Sequence, residues 1–196
     1  QRLGMEPIRY NFGPTVHDPI APRPGKFTFH FAPDKRIWQT LGQKETGAKL
    51  FTAELRTGYS VASHWPVGLS QIARQGLEID SKITIRLRPL MYGAYGGKGI
   101  KQSPNLPEGK YRFTTWTLAP TGDGVNSYSI TLTCGKAIVG QFEEEIQSVS
   151  KGDQTPVCRN YDITLTEPGE VKLTITPIKG EVWLGGLVLA PYGQRE

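Results

Sequence analysis

Two stretches near the end of the chain constrain its fold more than any other part. Residues 170–176, Glu-Val-Lys-Leu-Thr-Ile-Thr, alternate strictly. Val171, Leu173 and Ile175 point one way and Lys172, Thr174 and Thr176 the other. A period of two with one polar side marks a strand in a sheet with one wet face. Residues 181–190, Glu-Val-Trp-Leu-Gly-Gly-Leu-Val-Leu-Ala, are apolar on both sides, with Val182, Leu184 and Val188 opposed by Trp183, Leu187 and Leu189. That pattern fits a central strand covered on both faces. The turn residues Pro177 to Gly180 lie between the two, so the spacing predicts a closing hairpin over 170–190 with Trp183 in the core. Gly185 and Gly186 allow a backbone or a bulky side chain to approach the return strand closely.

The rest of the chain repeats this theme. Prolines at 7, 14, 19, 22 and 24 exclude a helix from residues 1–25 and leave Ile8 to Phe12 as an edge strand in a Pro-rich segment. Residues 27–31 alternate, with three phenylalanines facing inward. Residues 32–48 read as a loop that contains Trp38. Residues 48–61 read as one or two strands broken at Gly58, and Leu69, Ile72 and Ala73 give a single helical hint ended by Gly76. A strand over 79–88 directs Ile79, Ser81, Ile83, Ile85 and Leu87 inward, with Arg86 and Arg88 on the other side. Further strands are expected at 110–118, 127–134, 136–142 and 161–166, separated by glycine-bearing turns. Residues 89–109 form one long connection, and a connection of that length suggests use.

With 23 glycines and 15 prolines in 196 residues, the composition suits a turn-rich β protein. The expectation is an all-β fold, an antiparallel β-sandwich, spanning 1–196 as a single domain. No run approaches the ~18 apolar residues of a membrane-spanning helix. The net charge of +5 is spread along the chain. It suits a basic surface or an acidic partner such as a pectin-like polysaccharide. Nucleic acid is not expected, because no basic stripe is interleaved with aromatics. Cys134 and Cys158 are too few for a disulfide scaffold. One bridge between them would contribute about 3 kcal/mol in the chain-entropy model, and two reduced cysteines are the alternative.

Residues 108–113, Glu-Gly-Lys-Tyr-Arg-Phe, are similar to a conserved-pattern strand of galactose-binding-like jelly rolls, and the apolar run 183–189 resembles the strand that ends such domains. Residues 10–14, Tyr-Asn-Phe-Gly-Pro, look like the opening strand of related modules found in malectin-like proteins and in front of some pectin-processing esterases. The resemblance covers both ends and about half of the chain, with nothing recognised from 32 to 107. It implies a jelly roll of galactose-binding-like type. It also implies a non-catalytic, secreted module, extracellular or periplasmic, that serves as an accessory domain of a larger carbohydrate-active enzyme. Several such modules hold a structural calcium ion through an early glutamate and a late aspartate. The closing strand here has no aspartate, so no cofactor is expected and calcium is the one metal left open.

Sugar recognition needs flat aromatic faces and a few fixed polar groups. On the strand at 110–118, Tyr111 and Phe113 point inward, while Lys110, Arg112, Thr114 and Trp116 point out. Trp116 beside Arg112 would suit a sugar acid, since guanidinium pairs bidentately with carboxylate. Tyr92, Tyr95 and Lys98 in the glycine-rich connection, with Arg86, complete the expected ligand-binding set. In each case the competing reading is packing: Trp116 under a covering loop, and the tyrosines laid down on the sandwich. No catalytic residues are assigned. Ser63 and His64 are adjacent but show no acid partner, the three histidines lack zinc spacing, and Glu143–Glu145 read as a solvated strand end. Residues 121–126 carry oxygen ligands in a spacing that fits a plain turn better than a calcium loop. The leading function is therefore binding of a polysaccharide, acidic ones included. The alternatives are a structural or interaction module without its own ligand, and a small jelly-roll polysaccharide lyase or esterase.

Overall fold

The computed structural model describes residues 7–12, 28–31, 37–41, 46–52, 75–92, 100–154 and 156–192. Its strands are β1 (Ile8–Phe12), β2 (Thr28–Phe31), β3 (Ile37–Leu41), β4 (Lys49–Thr52), β5 (Gln75–Ile79), β6 (Ile83–Leu87), β7 (Leu90–Tyr92), β8 (Ile100–Gln102), β9 (Gly109–Leu118), β10 (Val125–Cys134), β11 (Ala137–Gln147), β12 (Pro156–Leu165), β13 (Val171–Lys179) and β14 (Val182–Pro191). The larger sheet runs β12-β9-β14-β1-β3-β2, with β5 also on β14 and β4 on β5; the smaller runs β11-β10-β13-β6. The pairing is antiparallel except between β1 and β3. Apolar side chains from the facing sides meet in one core. Ile8, Tyr10, Phe12, Leu77, Tyr111, Phe113, Ile163, Leu187 and Leu189 come from the larger sheet. Ile85, Leu87, Tyr128, Ile130, Leu132, Val171, Leu173 and Ile175 come from the smaller. From β9 onward the chain crosses between the sheets at nearly every turn, so the expected jelly-roll β-sandwich is the architecture found.

Several local expectations change. The alternation of 170–176 is correct, with Val171, Leu173 and Ile175 buried, but β13 and β14 are not a hairpin. β13 pairs with β10 and β6, whereas β14 pairs with β9, β1 and β5 in the opposite sheet. The turn at Gly180 and Glu181 is therefore an arch over the edge of the core. Asn126 fastens it: its amide nitrogen donates to the Ile146 carbonyl at 3.1 Å and to Ser148 at 2.7 Å, and its oxygen accepts from the Glu181 amide at 3.2 Å. Gly180, at φ +71°, packs so tightly here that a Cβ would lie 2.1 Å from that Asn126 oxygen.

Local reasons account for the other differences. Asp80, Ser81 and Lys82 turn the chain between sheets, so the single strand expected over 79–88 becomes β5 and β6. Ile8–Phe12 lies between β14 and β3 instead of at an edge, because its prolines all fall outside the strand itself. Residues 37–41, expected in a loop, form β3, and the long connection contains the pair β7–β8. Of the helical hint over 66–76, residues 66–74 and the break at Gly58 lie outside the described residues, while Gln75 and Gly76 belong to β5. β11 extends through Gln147, so Glu143–Glu145 are within a strand and not at its solvated end. Cys134 and Cys158 lie on different sheets and are not joined, which removes the expected disulfide.

The most consequential difference is in β14. Against β9, Leu184 stands opposite Thr117 and Gly186 opposite Trp116, so Gly185 is one residue too many, a β-bulge. The bulge resets the facing: Val182 and Leu184 point inward before it, Leu187 and Leu189 after it. Trp183 and Val188 therefore face outward. The bulge also marks where one edge of β14 passes from β5 to β1. There Gly76 approaches so closely that a Cβ would lie 2.1 Å from the Leu184 carbonyl oxygen. Gly76→Ala is expected to lower stability by about 1–3 kcal/mol through overpacking against backbone that cannot yield, read as a lower midpoint in urea unfolding.

Candidate functional site

Alternation decides which face can meet a ligand. The described outward positions of the smaller sheet include Ser129, Thr131, Thr174, Thr84, Lys172 and Arg86, and none of these carries a ring. The outward face of the larger sheet carries rings and charges. Register places Arg112 with Asp162 and Ala190 in one row, Thr114 with Asn160 and Val188 in the next, then Trp116 with Cys158 and Gly186, and finally Leu118 with Trp183 and Glu78.

The middle of this face is closed. Trp116 is only 3% exposed, and Thr114 and Val188 are fully buried. Trp116 is therefore packed, which corrects the expectation of a solvent-facing platform: its indole has Gly186 opposite it and no side chain there to hold it off the sheet. Arg112 does stand outward. It pairs with Asp162 at 3.8 Å and lies 5.4 Å from the centre of the exposed Tyr192 ring. Hydrogen bonding to Asp162 raises the Tyr192 hydroxyl pKa above its usual value. Arg86 is on the other sheet altogether, paired with Glu170 at 3.3 Å, so it cannot join Arg112 in one site. Tyr92 lies in β7, and Tyr95 and Lys98 are outside the described residues.

At the far end of the face is a group that the facing pattern had concealed. Phe51 of β4 and Trp183 of β14 stack with centroids 4.7 Å apart and planes 19° from parallel, over the buried Leu118. The indole Nε1 donates to Glu181 at 3.0 Å, which fixes the ring from its edge. Register puts Glu78 beside Trp183 and Lys49 beside Glu78. Burial raises the Glu78 carboxyl pKa, as do its hydrogen bond to Glu181 and the charges of Glu181 and Asp80, while Lys49 works the other way. Phe51, Glu78, Glu181 and Trp183 thus form a half-buried ring bordered by hydrogen-bonding carboxyls. Sequence could place Trp183 on this face only through the bulge, for which the Gly-Gly pair was the signal.

A second polar group lies inside the sandwich, where β11 and β12 close its side. Glu144, 5% exposed, accepts from the hydroxyls of Tyr128 and Tyr161 and pairs with Arg159 at 2.9 Å. Arg159 also donates to the Glu145 carbonyl at 3.0 Å, and Tyr161 stacks on Phe142 at 4.0 Å. Burial, then Glu144, pushes the Tyr128 pKa far above its usual range, and the same causes raise that of Tyr161. Both phenols therefore stay protonated and act as donors, so this Tyr–Arg–carboxylate group holds the sheets together rather than lining a cleft. Among the described residues no group of three or more His, Cys, Asp or Glu converges to hold a metal ion, and no helix is long and apolar enough to cross a membrane.

Neither a protein-family model nor a curated protein matches the chain. Among solved structures it is similar to the C-terminal CBM6 of a marine laminarinase from Zobellia galactanivorans, at 15% identity over 59% of this chain and 77% of that one, with a TM-score of 0.36. It is also similar to a carbohydrate-binding module of Cellvibrio mixtus lichenase 5A in complex with cellotriose (18%, 73% and 96%, 0.34). A third is TmCBM61 in complex with β-1,4-galactotriose (15%, 76% and 79%, 0.31). Likenesses this distant carry no argument about a ligand, and the fold stands on its own two sheets.

Two expectations follow from the interior group. Glu144→Ala leaves two phenols and a guanidinium without their acceptor. Stability should fall by about 3 kcal/mol in denaturant unfolding, the low end for breaking a buried pair, because Arg159 is itself 30% exposed. Tyr10 joins the two tyrosines: burial pushes its pKa up to about 12. Folded values above the unfolded 10.0 mean that the stability these groups give is complete below pH 10.0 and is lost as pH climbs through the folded values. In an absorbance titration, these three of the eight tyrosines should still lack phenolate signal at about pH 11 until the chain unfolds.

Proposed function

We propose that the chain is a non-catalytic carbohydrate-binding module that holds a glycan at the Trp183 end of the larger sheet's outward face. The observation that carries this reading is the Trp183 indole itself, only partly buried, stacked on Phe51 and held at its edge by Glu181. A ring fixed from two sides offers stacking area to sugar C–H bonds without losing side-chain freedom on binding. The carboxyls of Glu78 and Glu181 beside it are acceptors for sugar hydroxyls, the small set of polar groups that fixes orientation in such sites. In this reading the module works outside the cytoplasm, where polysaccharides are met, and next to the catalytic domains of a larger carbohydrate-active protein.

The test is binding of soluble oligosaccharides by calorimetry. Trp183→Ala should weaken binding at least tenfold, about 1.4 kcal/mol, whereas Trp183→Phe should weaken it less. Unchanged circular dichroism and melting would show that the fold survives. If no glycan binds the wild type, or if Trp183→Ala binds as well as the wild type, the proposal fails.

A further inference from the structure

The charge around Trp183 does not match the rest of the chain. The protein as a whole is basic at +5, yet the groups acting on Glu78 are two acids, Glu181 and Asp80, against one lysine, Lys49. Register sets Glu78 beside Trp183, and the charge of Glu181 bears on its carboxyl. Glu181 meanwhile accepts from the indole Nε1, so it cannot turn away from the ring without losing that bond. The geometry therefore gathers negative charge along the border of an aromatic face. An aromatic face attracts cations through its π system, and a carboxylate pair attracts them through charge.

We infer that the Trp183 face ranks sugars by charge, taking ammonium-bearing units ahead of neutral ones and rejecting uronates; this rests on the binding reading above. An amino group seated between the ring and the two glutamates meets both carboxylates. Affinity rises with pH as Glu78 loses its proton, while the sugar amine stays charged. A uronate brings a third negative charge against Glu78 and Glu181, with Lys49 alone among the described neighbours to offset it.

The matched probes are a glucosamine oligomer and its fully N-acetylated counterpart, which share one backbone and differ in charge, together with an oligogalacturonate. Calorimetry should show the glucosamine oligomer at least tenfold tighter and the uronate weakest. Glu78→Gln with Glu181→Gln should bind the two glucosamine-backbone oligomers alike. Equal binding of those two by the wild type, or tighter binding of the uronate, overturns the charge ranking. If that binding is still lost in Trp183→Ala, the carbohydrate reading stands without the ranking. Loss of the preference in Trp183→Ala with the carboxyl pair intact is also expected; a preference that persists there places the amine elsewhere and overturns the inference. No binding by any probe overturns both.

Discussion

One extra residue in one strand sets the geometry on which the rest depends. Strand β14 must pair along its full length with β9 while its other edge serves β5 first and β1 afterwards. A regular strand would keep Trp183 in phase with Leu187 and Leu189, and all three would compete for the same core volume. The bulge at Gly185 breaks that phase, so Leu187 and Leu189 fill the core and the bulky indole moves to the other face. Local sheet geometry and the face on which the indole stands are thus set by the same residue. Bulges commonly re-aim a side chain in this way, and the absent side chain at Gly76 lets β5 approach the bulge closely.

The open sides of the sandwich are closed by polar contacts rather than by more apolar area. On one side the Tyr10 hydroxyl donates to the Arg86 carbonyl at 2.9 Å and accepts from the Arg88 amide at 2.8 Å, with Gln39 bonded to the Arg88 carbonyl at 2.9 Å. On the other, Glu144 gathers Tyr128, Tyr161 and Arg159. Each seam joins strands from opposite sheets, so it fixes their separation and slide as well as adding stability. Charged groups bury acceptably here because every one of these named donors has an acceptor.

How much was legible in the sequence follows from which forces are local. Alternation along β6, β9, β10 and β13 is read directly from residue types, and the inward sets expected there are the ones buried. Partner choice is not local. Nothing in 177–180 says whether the strands on either side pair or arch, since the same turn residues serve both; the decision rests with Asn126, more than fifty positions away. The acidic run 143–145 reads as solvated because glutamates usually are, and only Tyr128, Tyr161 and Arg159, brought in from other strands, make burial of Glu144 tolerable. Of the residues singled out, Arg112 stands outward, whereas Trp116, expected outward and exposed, is buried, and Trp183, expected in the core, is half-buried on the outward face. One bulge shifts facing by one residue, and a period-two pattern cannot register that shift when both faces are apolar.

The arch between β13 and β14 also bears on how the chain reaches this structure. The larger sheet is assembled around a strand at residues 182–191, which joins β1 from the beginning of the chain to β5 and β9 from its middle. During synthesis those partners emerge first and wait with unpaired edges, because the strand that belongs between them is made after all three. Sequence neighbours such as β2 and β3, β4 and β5, β7 and β8, and β10 and β11 with its tight turn at Gly135 can pair as soon as they appear. Completion of the sheet is thus a late, long-range event with a large loop to close, the kind of topology that folds slowly and leaves strand edges exposed to other chains in the meantime.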